Sequence, residues 1–185
     1  MPPSMVAPRL PDMDTLDAIR TLRVVRRFDG TPLSDAELTT ILDAGRHAGS
    51  SKNRQRWTFI AVTERDTLRW LAQVGEYAGH LAGAAAAVAL VTPRPDDTEI
   101  PHSIAWDVGR AAQNMTLAAW AMGIGSVPAT VYDEALARSI LGYPADHLCE
   151  HMLSFGRPRD EAELTRPPRA GGRRQLSEVV HRESW

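Results

Sequence analysis

Three separated segments of this 185-residue chain concentrate side chains that grip anions. Arg23, Arg26 and Arg27 fall within one turn of backbone after a short helical stretch. Ser50, Ser51, Lys52, Asn53, Arg54, Gln55 and Arg56 form a run dense in hydrogen-bond donors, and Arg173 and Arg174 follow Gly171 and Gly172 in the tail. Arginine presents a planar fork that meets phosphate or carboxylate through two parallel bonds. Of the 21 basic residues, Lys52 alone is lysine. Any one of these segments, taken singly, also reads as a solvated basic turn. Against that, Asn53 and Gln55 alternate with charged residues just before an apolar strand, which sets amides at a strand mouth where a ligand is read.

The elements that must carry these groups are legible in outline. Asp14 to Leu22 has helical character. Ser34 and Glu37 make a capping box, and Leu38, Ile41, Leu42 and Gly45 continue one helix face from it. Trp57 to Thr63 alternates like a strand, and Glu64 to Tyr77 reads as a helix with Leu68, Leu71 and Val74 on one side. Ala86 to Thr92 is a buried strand closed by Pro93. Ile104, Val108, Ala111, Met115, Ala118 and Met122 form the longest apolar stripe, that of a central helix. Gly123 to Thr130 reads as a turn and strand, Tyr132 to Leu141 as a helix, and His151 to Phe155 as a last strand. This order predicts an α+β fold, a mixed sheet flanked by helices around a long central helix, with an extended C-terminal arm. A doubly wound nucleotide fold would place a glycine-rich turn after the first strand, where Thr63, Glu64, Arg65 and Asp66 stand instead.

Composition bounds the rest. Hydrophobic residues make up 43% and the formal net charge is −2, which suits one ordinary domain and gives no pull toward nucleic acid. The expected division is a flexible lead at 1–13, a domain at 14–160 and an arm at 161–185 that is too poor in apolar pattern to fold by itself. The lead lacks a signal-peptide pattern, and the longest apolar run, Ala82 to Val91, is about half of what crosses a bilayer. With a single cysteine, Cys149, no internal disulfide forms, which is consistent with a cytoplasmic protein.

Several competing signals carry less. His147, Glu150 and His151 have the His-x-x-Glu-His spacing of a zinc peptidase class, but that motif needs a helix. Pro144 stands upstream and a strand pattern follows, so the segment reads as a polar turn entering a strand, and no metal site is expected. Trp57, Trp70, Trp106 and Trp120 lie in periodic segments and read as core or interface packing. Cys149 has no activating neighbour, and nothing in spacing assembles His47, Ser50 and Asp43 into a triad.

Four motifs, in order, resemble the nitroreductase family. Arg23-Val24-Val25-Arg26-Arg27-Phe28 is similar to that family's Arg-Arg-Ser-x-Arg-x-Phe, and Ser50 to Trp57 to its Ser-x-x-Asn-x-Gln-Pro-Trp. Asp107 to Met115, continuing to Gly125 and Ser126, resembles its central helix and following turn. Arg173-Arg174-Gln175-Leu176-Ser177-Glu178-Val179-Val180-His181 resembles its C-terminal ending. Leu22 stands where the family has its first arginine, Val24 replaces a serine, and Arg56 and Gln175 replace prolines.

The resemblance implies a homodimer with FMN at the interface. It also implies hydride transfer from NAD(P)H to a small electron-poor acceptor in ping-pong order, with no side chain required as acid or base. By the same analogy Arg23 and Arg173, or Arg174 in its place, meet the flavin phosphate, and Arg26 lies at the pyrimidine edge of the ring. Ser50, Asn53 and Gln55, with Val24, Ser51 and Lys52 beside them, hold the ribityl chain and ring edge. Amides near Gly125 and Ser126 face flavin N5, and the arm embraces the partner. The short chain implies an abbreviated lid. The alternative is a flavin-storage or sensing protein on the same fold that does not turn over NAD(P)H.

Overall fold

The computed structural model describes residues 13–95, 101–167 and 171–185. Nearly all of the expected lead at 1–13 therefore lies outside the described residues, as do 96–100 and 168–170. The elements are α1 (Thr15–Thr21), α2 (Asp35–Arg46), β1 (Thr58–Val62), α3 (Arg65–Leu71), β2 (Ala86–Pro93), α4 (Pro101–Ala121), β3 (Gly125–Thr130), α5 (Glu134–Leu141), β4 (His147–Gly156) and α6 (Ala162–Thr165). Single 3-10 turns occur at Ser51–Asn53, Ala78–Gly83 and Leu176–Glu178. No helix among the described residues is long and apolar enough to cross a membrane.

Local chemistry sets the helix starts. Asp14 caps α1, its carboxylate accepting from the amides of Leu16 and Asp17. The capping box at α2 forms as the sequence predicts: Ser34 Oγ accepts from the Glu37 amide, and the Glu37 carboxylate accepts from the Ser34 amide at 2.8 Å. The same carboxylate also accepts from Arg157.

The sheet runs β1-β2-β4-β3, and each neighbouring pair is antiparallel. The expectation of a mixed sheet meets a simple geometric outcome. β2 and β3 run the same way and are joined across α4, but β4 returns between them, so neighbours alternate in direction. Among the described residues, parallel pairing is found in one isolated bridge, Val24 to Ser126.

β2 is buried along nearly its whole length, and its two faces feed two cores. Ala87, Ala89 and Val91 face a cluster with Leu68, Leu71, Ala137 and Met152, under α3 and α5. Val88 and Leu90 face the opposite cluster, with Ile41 of α2, Met115 and Ala119 of α4, and Phe155 of β4. Helices thus cover both sides, which is why β2 reads as a continuous apolar run.

Three boundaries differ from the sequence reading. The helix expected to reach Tyr77 stops at Leu71. The Val74 carbonyl there accepts from the amides of Tyr132 and Asp133, and a Cβ on Gly75 would lie 2.5 Å from the Thr130 carbonyl. Tertiary packing overrides local helix propensity at this turn. β4 begins at His147 rather than His151, because the segment read as a polar turn pairs with the end of β2. A bulge makes Glu150 the extra residue, since Leu90 faces His151 and Val91 faces Cys149. The bulge keeps Cys149 and Met152 in one core although they are three apart. Finally, residues 162–165 form α6 against their own chain, with Leu164 packed onto the cluster of Ala18, Val25, Phe28 and Trp120.

Of the four tryptophans in periodic segments, Trp120 is in the core, its Nε1 donating to Thr21 Oγ1 at 3.0 Å. Trp57 stacks on Phe59, whereas Trp70 and Trp106 are 58% and 71% exposed in the single chain.

Two glycines should respond to alanine with opposite signs. A Cβ on Gly125 would lie 2.5 Å from the Cβ of Val25, so Gly125→Ala destabilises by about 1–3 kcal/mol. Gly109 in α4 has nothing within 4 Å of its Cβ direction, so Gly109→Ala stabilises by up to about 1 kcal/mol. Urea unfolding midpoints read both, and shifts of the same sign would contradict this packing.

Candidate functional site

The first arginine segment is a strap laid along the edge of the sheet. Val24 pairs with Ser126, and the Val25 amide donates to the Ser126 carbonyl at 3.1 Å. Further on, Phe28 bridges to Pro158 and the Asp29 amide donates to the Arg157 carbonyl at 3.1 Å. Val25 is fully buried, and Gly125 leaves the space it fills.

The strap's arginines have different fates. Arg23 turns back on its own helix: Nη1 donates to the carbonyls of Arg20, Thr21 and Leu22, and Nε to the carbonyl of Arg166. Arg27 pairs with the buried Glu163 of α6 at 3.2 Å. The Arg27 side chain is 75% exposed, so this pair is worth about 1 kcal/mol at most. Packing of Leu164, worth up to about 2 kcal/mol, does more to hold α6 in place. Arg26 is exposed and its charge reaches His80.

The second segment is a strained loop. Lys52, Asn53 and Gln55 have φ of 53°, 54° and 49°, in the left-handed region. Asparagine tolerates that conformation better than lysine or glutamine, and each such residue costs on the order of 1–3 kcal/mol unless its surroundings hold it. The holding groups are visible. Ser50 Oγ accepts from the Gln55 amide at 2.9 Å, and the Gln55 side-chain amide donates to Asn53 Oδ1 at 3.1 Å. The buried Asp107 of α4 accepts from the Ser51 amide at 2.8 Å, and the Arg110 guanidinium packs over Gly49.

A buried polar pair lies behind the strap. His80 Nδ1 is 2.9 Å from Ser154 Oγ, and Ser154 Oγ is 3.3 Å from the Val127 carbonyl. Among the described residues, the buried His80 Nε2 makes no well-formed hydrogen bond. Burial, and then the Arg26 charge, hold the His80 pKa below the ordinary histidine value, against a smaller opposing pull from the Pro128 carbonyl. Cys149 is fully buried and its thiol is pushed up to about 12 by burial, so it is a core residue and not a nucleophile. His147 and His151 lie on β4, not on a helix, and no group of three or more metal-ligating side chains occurs among the described residues.

The structure therefore brings Arg23, Val24 and Arg26 up to β3, and ties Ser50, Ser51, Lys52, Asn53 and Gln55 to α4. Gly125 and Ser126 lie inside the sheet, with Ser126 only 4% exposed between β4 and the strap. The accessible positions of β3 are Pro128 and Thr130. Arg173 and Arg174 are exposed in the arm, beyond Gly171 and Gly172 with φ of 89° and 54°. Motif reading did not single out His80, Ser154 or Arg166, and it gave Asp107 and Arg110, within the central-helix motif, no part in holding the Ser50–Gln55 loop. None of these roles has a short-range signature, and the proximity comes from pairing across the fold.

The donor set fits a flavin mononucleotide in kind: guanidinium groups for a phosphate, a pre-bent amide loop for the ribityl chain, and an arginine for the electron-rich ring edge. A cavity of about 550 Å³ opens beside Arg23, Thr21, Gly123 and Thr165. A second, of about 440 Å³, lies between α4 and the sheet, lined by Val108, Ala112, Pro128 and Leu153, with Glu150 and His151 as polar groups. The fold is α+β, and these groups make up its candidate cationic ligand site.

Comparison with known proteins narrows the class. The sequence profile of the Nitroreductase family matches residues 19–99 and 72–157. An Archaeoglobus fulgidus protein provisionally named NADH dehydrogenase/NAD(P)H nitroreductase is 32% identical over 178 residues, covering 93% of this chain and 99% of that protein. The solved structure of the NADPH:FMN oxidoreductase of Vibrio harveyi in complex with NAD+ superposes with a TM-score of 0.78 at 26% identity, over 92% of this chain and 77% of that one. A provisionally named nitroreductase from Desulfovibrio desulfuricans, solved in complex with FMN, gives a TM-score of 0.74 at 27% identity, over 92% and 96%. The chain belongs to the nitroreductase family.

His80 supplies a pH test of this environment. Above about pH 6.5 the ring is neutral in folded and unfolded chains alike. Below that value the unfolded chain takes up a proton that the folded chain resists, so stability falls as pH drops toward the lowered folded value. The melting temperature should therefore drop between pH 7.5 and 5.5, and drop less in His80→Gln. An equal drop in both proteins would show that His80 is not held neutral.

Proposed function

We propose that this chain is an FMN-dependent NAD(P)H oxidoreductase that passes hydride to a small electron-poor acceptor such as a nitroaromatic, quinone or enone. The single observation that carries the reading is the strap, which sets Arg23, Val24 and Arg26 against β3 in a nitroreductase-family fold. Supporting it are relatives named for NADPH-flavin oxidoreduction and a structural neighbour holding FMN.

Bound FMN would supply the redox chemistry, hydride transfer between NAD(P)H and the second substrate. The chain binds, orients and excludes. Arg26 offers a fixed positive charge to the pyrimidine edge, where negative charge is best tolerated near a cation. The Ser50–Gln55 loop presents amides whose shape is set before any ligand arrives, so little ordering entropy is lost on binding. Cations around residue 23 and at Arg173 and Arg174 neutralise the phosphate. One site serves donor and acceptor in turn, in ping-pong order, and no side chain need exchange a proton in the hydride step.

The arm acts on a second copy. Leu176, Val179, Val180 and Trp185 are 75%, 46%, 46% and fully exposed in the single chain, and no cluster of its own core receives them. Four apolar side chains on a segment with one 3-10 turn favour cover by a homodimer partner.

Half-reactions test the activity. Anaerobic NADH or NADPH should bleach the flavin, and an added quinone should restore it after the nicotinamide has been removed. Failure of both nicotinamides to bleach bound FMN would replace the enzyme reading with flavin storage or sensing. For the arm, sedimentation should show a dimer for the full chain and a monomer after removal of residues 171–185. A shortened chain that still dimerises would contradict the embrace.

A further inference from the structure

Leucine at position 22 leaves the phosphate end of the site short of one arginine, and the fold brings up another that no motif marks. Arg166 lies 143 residues from Arg23 in sequence, yet hydrogen bonds interlock the two around residue 24. Arg23 Nε donates to the Arg166 carbonyl at 3.1 Å, and Arg166 Nη2 donates to the Val24 carbonyl at 2.7 Å. α6 makes the meeting possible. Its Leu164 joins the cluster under the strap and its Glu163 pairs with Arg27, so the chain emerges at Arg166 directly over Val24. The cavity of about 550 Å³ beside Arg23 is lined on this side by Leu164 and Thr165.

The two arginines are not equivalent as anion ligands. Arg23 Nη1 is spread over the carbonyls of Arg20, Thr21 and Leu22, at 3.2, 3.0 and 3.0 Å, and Nε is committed to a fourth carbonyl. Three of these belong to the C-terminal end of α1, which carries partial negative charge and wants a cation of its own. A guanidinium caged by carbonyls holds the backbone, and an anion placed against it meets the same carbonyl oxygens. Arg166 is exposed, and among the described residues its Nη2 donates to one carbonyl of the strap. A guanidinium has five N–H donors in a fixed fork, so an edge for a bidentate contact is left.

We propose that Arg166 is the phosphate-binding arginine of the body of this chain, in the place that Leu22 leaves vacant, with Arg23 as the residue that positions it. The ligand chemistry is a phosphate monoester, that of FMN, and the inference rests on the flavin reading given above. Arg27 stands close by but is paired with Glu163, and so is not a substitute.

Comparing FMN with riboflavin, which differ by the phosphate alone, isolates the contact. Apoprotein of the full chain, its Arg166→Ala variant and its Arg166→Lys variant are titrated with each flavin, with binding followed by quenching of flavin fluorescence. Arg166→Ala should weaken FMN by about tenfold or more and leave riboflavin within about twofold, as expected for loss of one charge-assisted contact. Arg166→Lys, which keeps the charge but not the fork, should recover part of the loss. Equal weakening of both flavins would assign Arg166 a merely structural role at Val24, and unchanged FMN affinity would remove it from the site. Either result overturns the inference while the flavin reading stands. A wild-type chain that binds neither flavin overturns both.

Discussion

The close approach of the strap to the sheet edge is the constraint on which the rest depends. It is possible because two glycines face it. A Cβ on Gly125 would run into Val25, and one on Gly156 would lie 2.8 Å from the Phe28 ring. With both absent, Val25 and Phe28 sink into the cluster with Trp120 and Val127, and the arginines between them are carried along β3 at fixed positions. Rearranging well-packed side chains costs kilocalories, whereas a solvated arginine by itself fixes its backbone by almost nothing. The cations are where they are because the apolar residues between them are buried.

The strained loop follows the same logic at the other end. Three residues with positive φ persist because α4 presents Asp107 to the Ser51 amide and Arg110 to the face of Gly49. α4 is itself held by Met115 and Ala119 against β2 and β4. Strain at the loop is thus sustained by a core some distance away along the helix, a common arrangement at ligand sites. His80 and Ser154 add a polar pair behind the strap, where burial keeps the ring neutral beside Arg26.

Much of this was legible in the residues. Helix starts carried by short-range chemistry, such as Ser34 with Glu37, were readable, as were the stripe of α4 and the apolar run of β2, because those signals are local and periodic. The cationic segments could be located by composition, and their order pointed to one family. What could not be read depended on residues far apart in sequence. α3 ends where Val74 meets Tyr132 and Asp133, β4 starts early because His147 to Cys149 find partners on β2, and α6 forms because Leu164 has a cluster to join. The difference between Arg23 and Arg166 belongs to the same class, since their spacing says nothing about which one is caged.

The central claim is that this donor set holds FMN, and it is tested most directly by the protein as purified. A visible absorption spectrum, followed by heat release and mass identification of the chromophore, should show flavin bands and FMN approaching one per chain. A colourless protein that stays colourless after incubation with FMN and desalting would contradict the account. The family fold would then be carrying a site that has lost its cofactor.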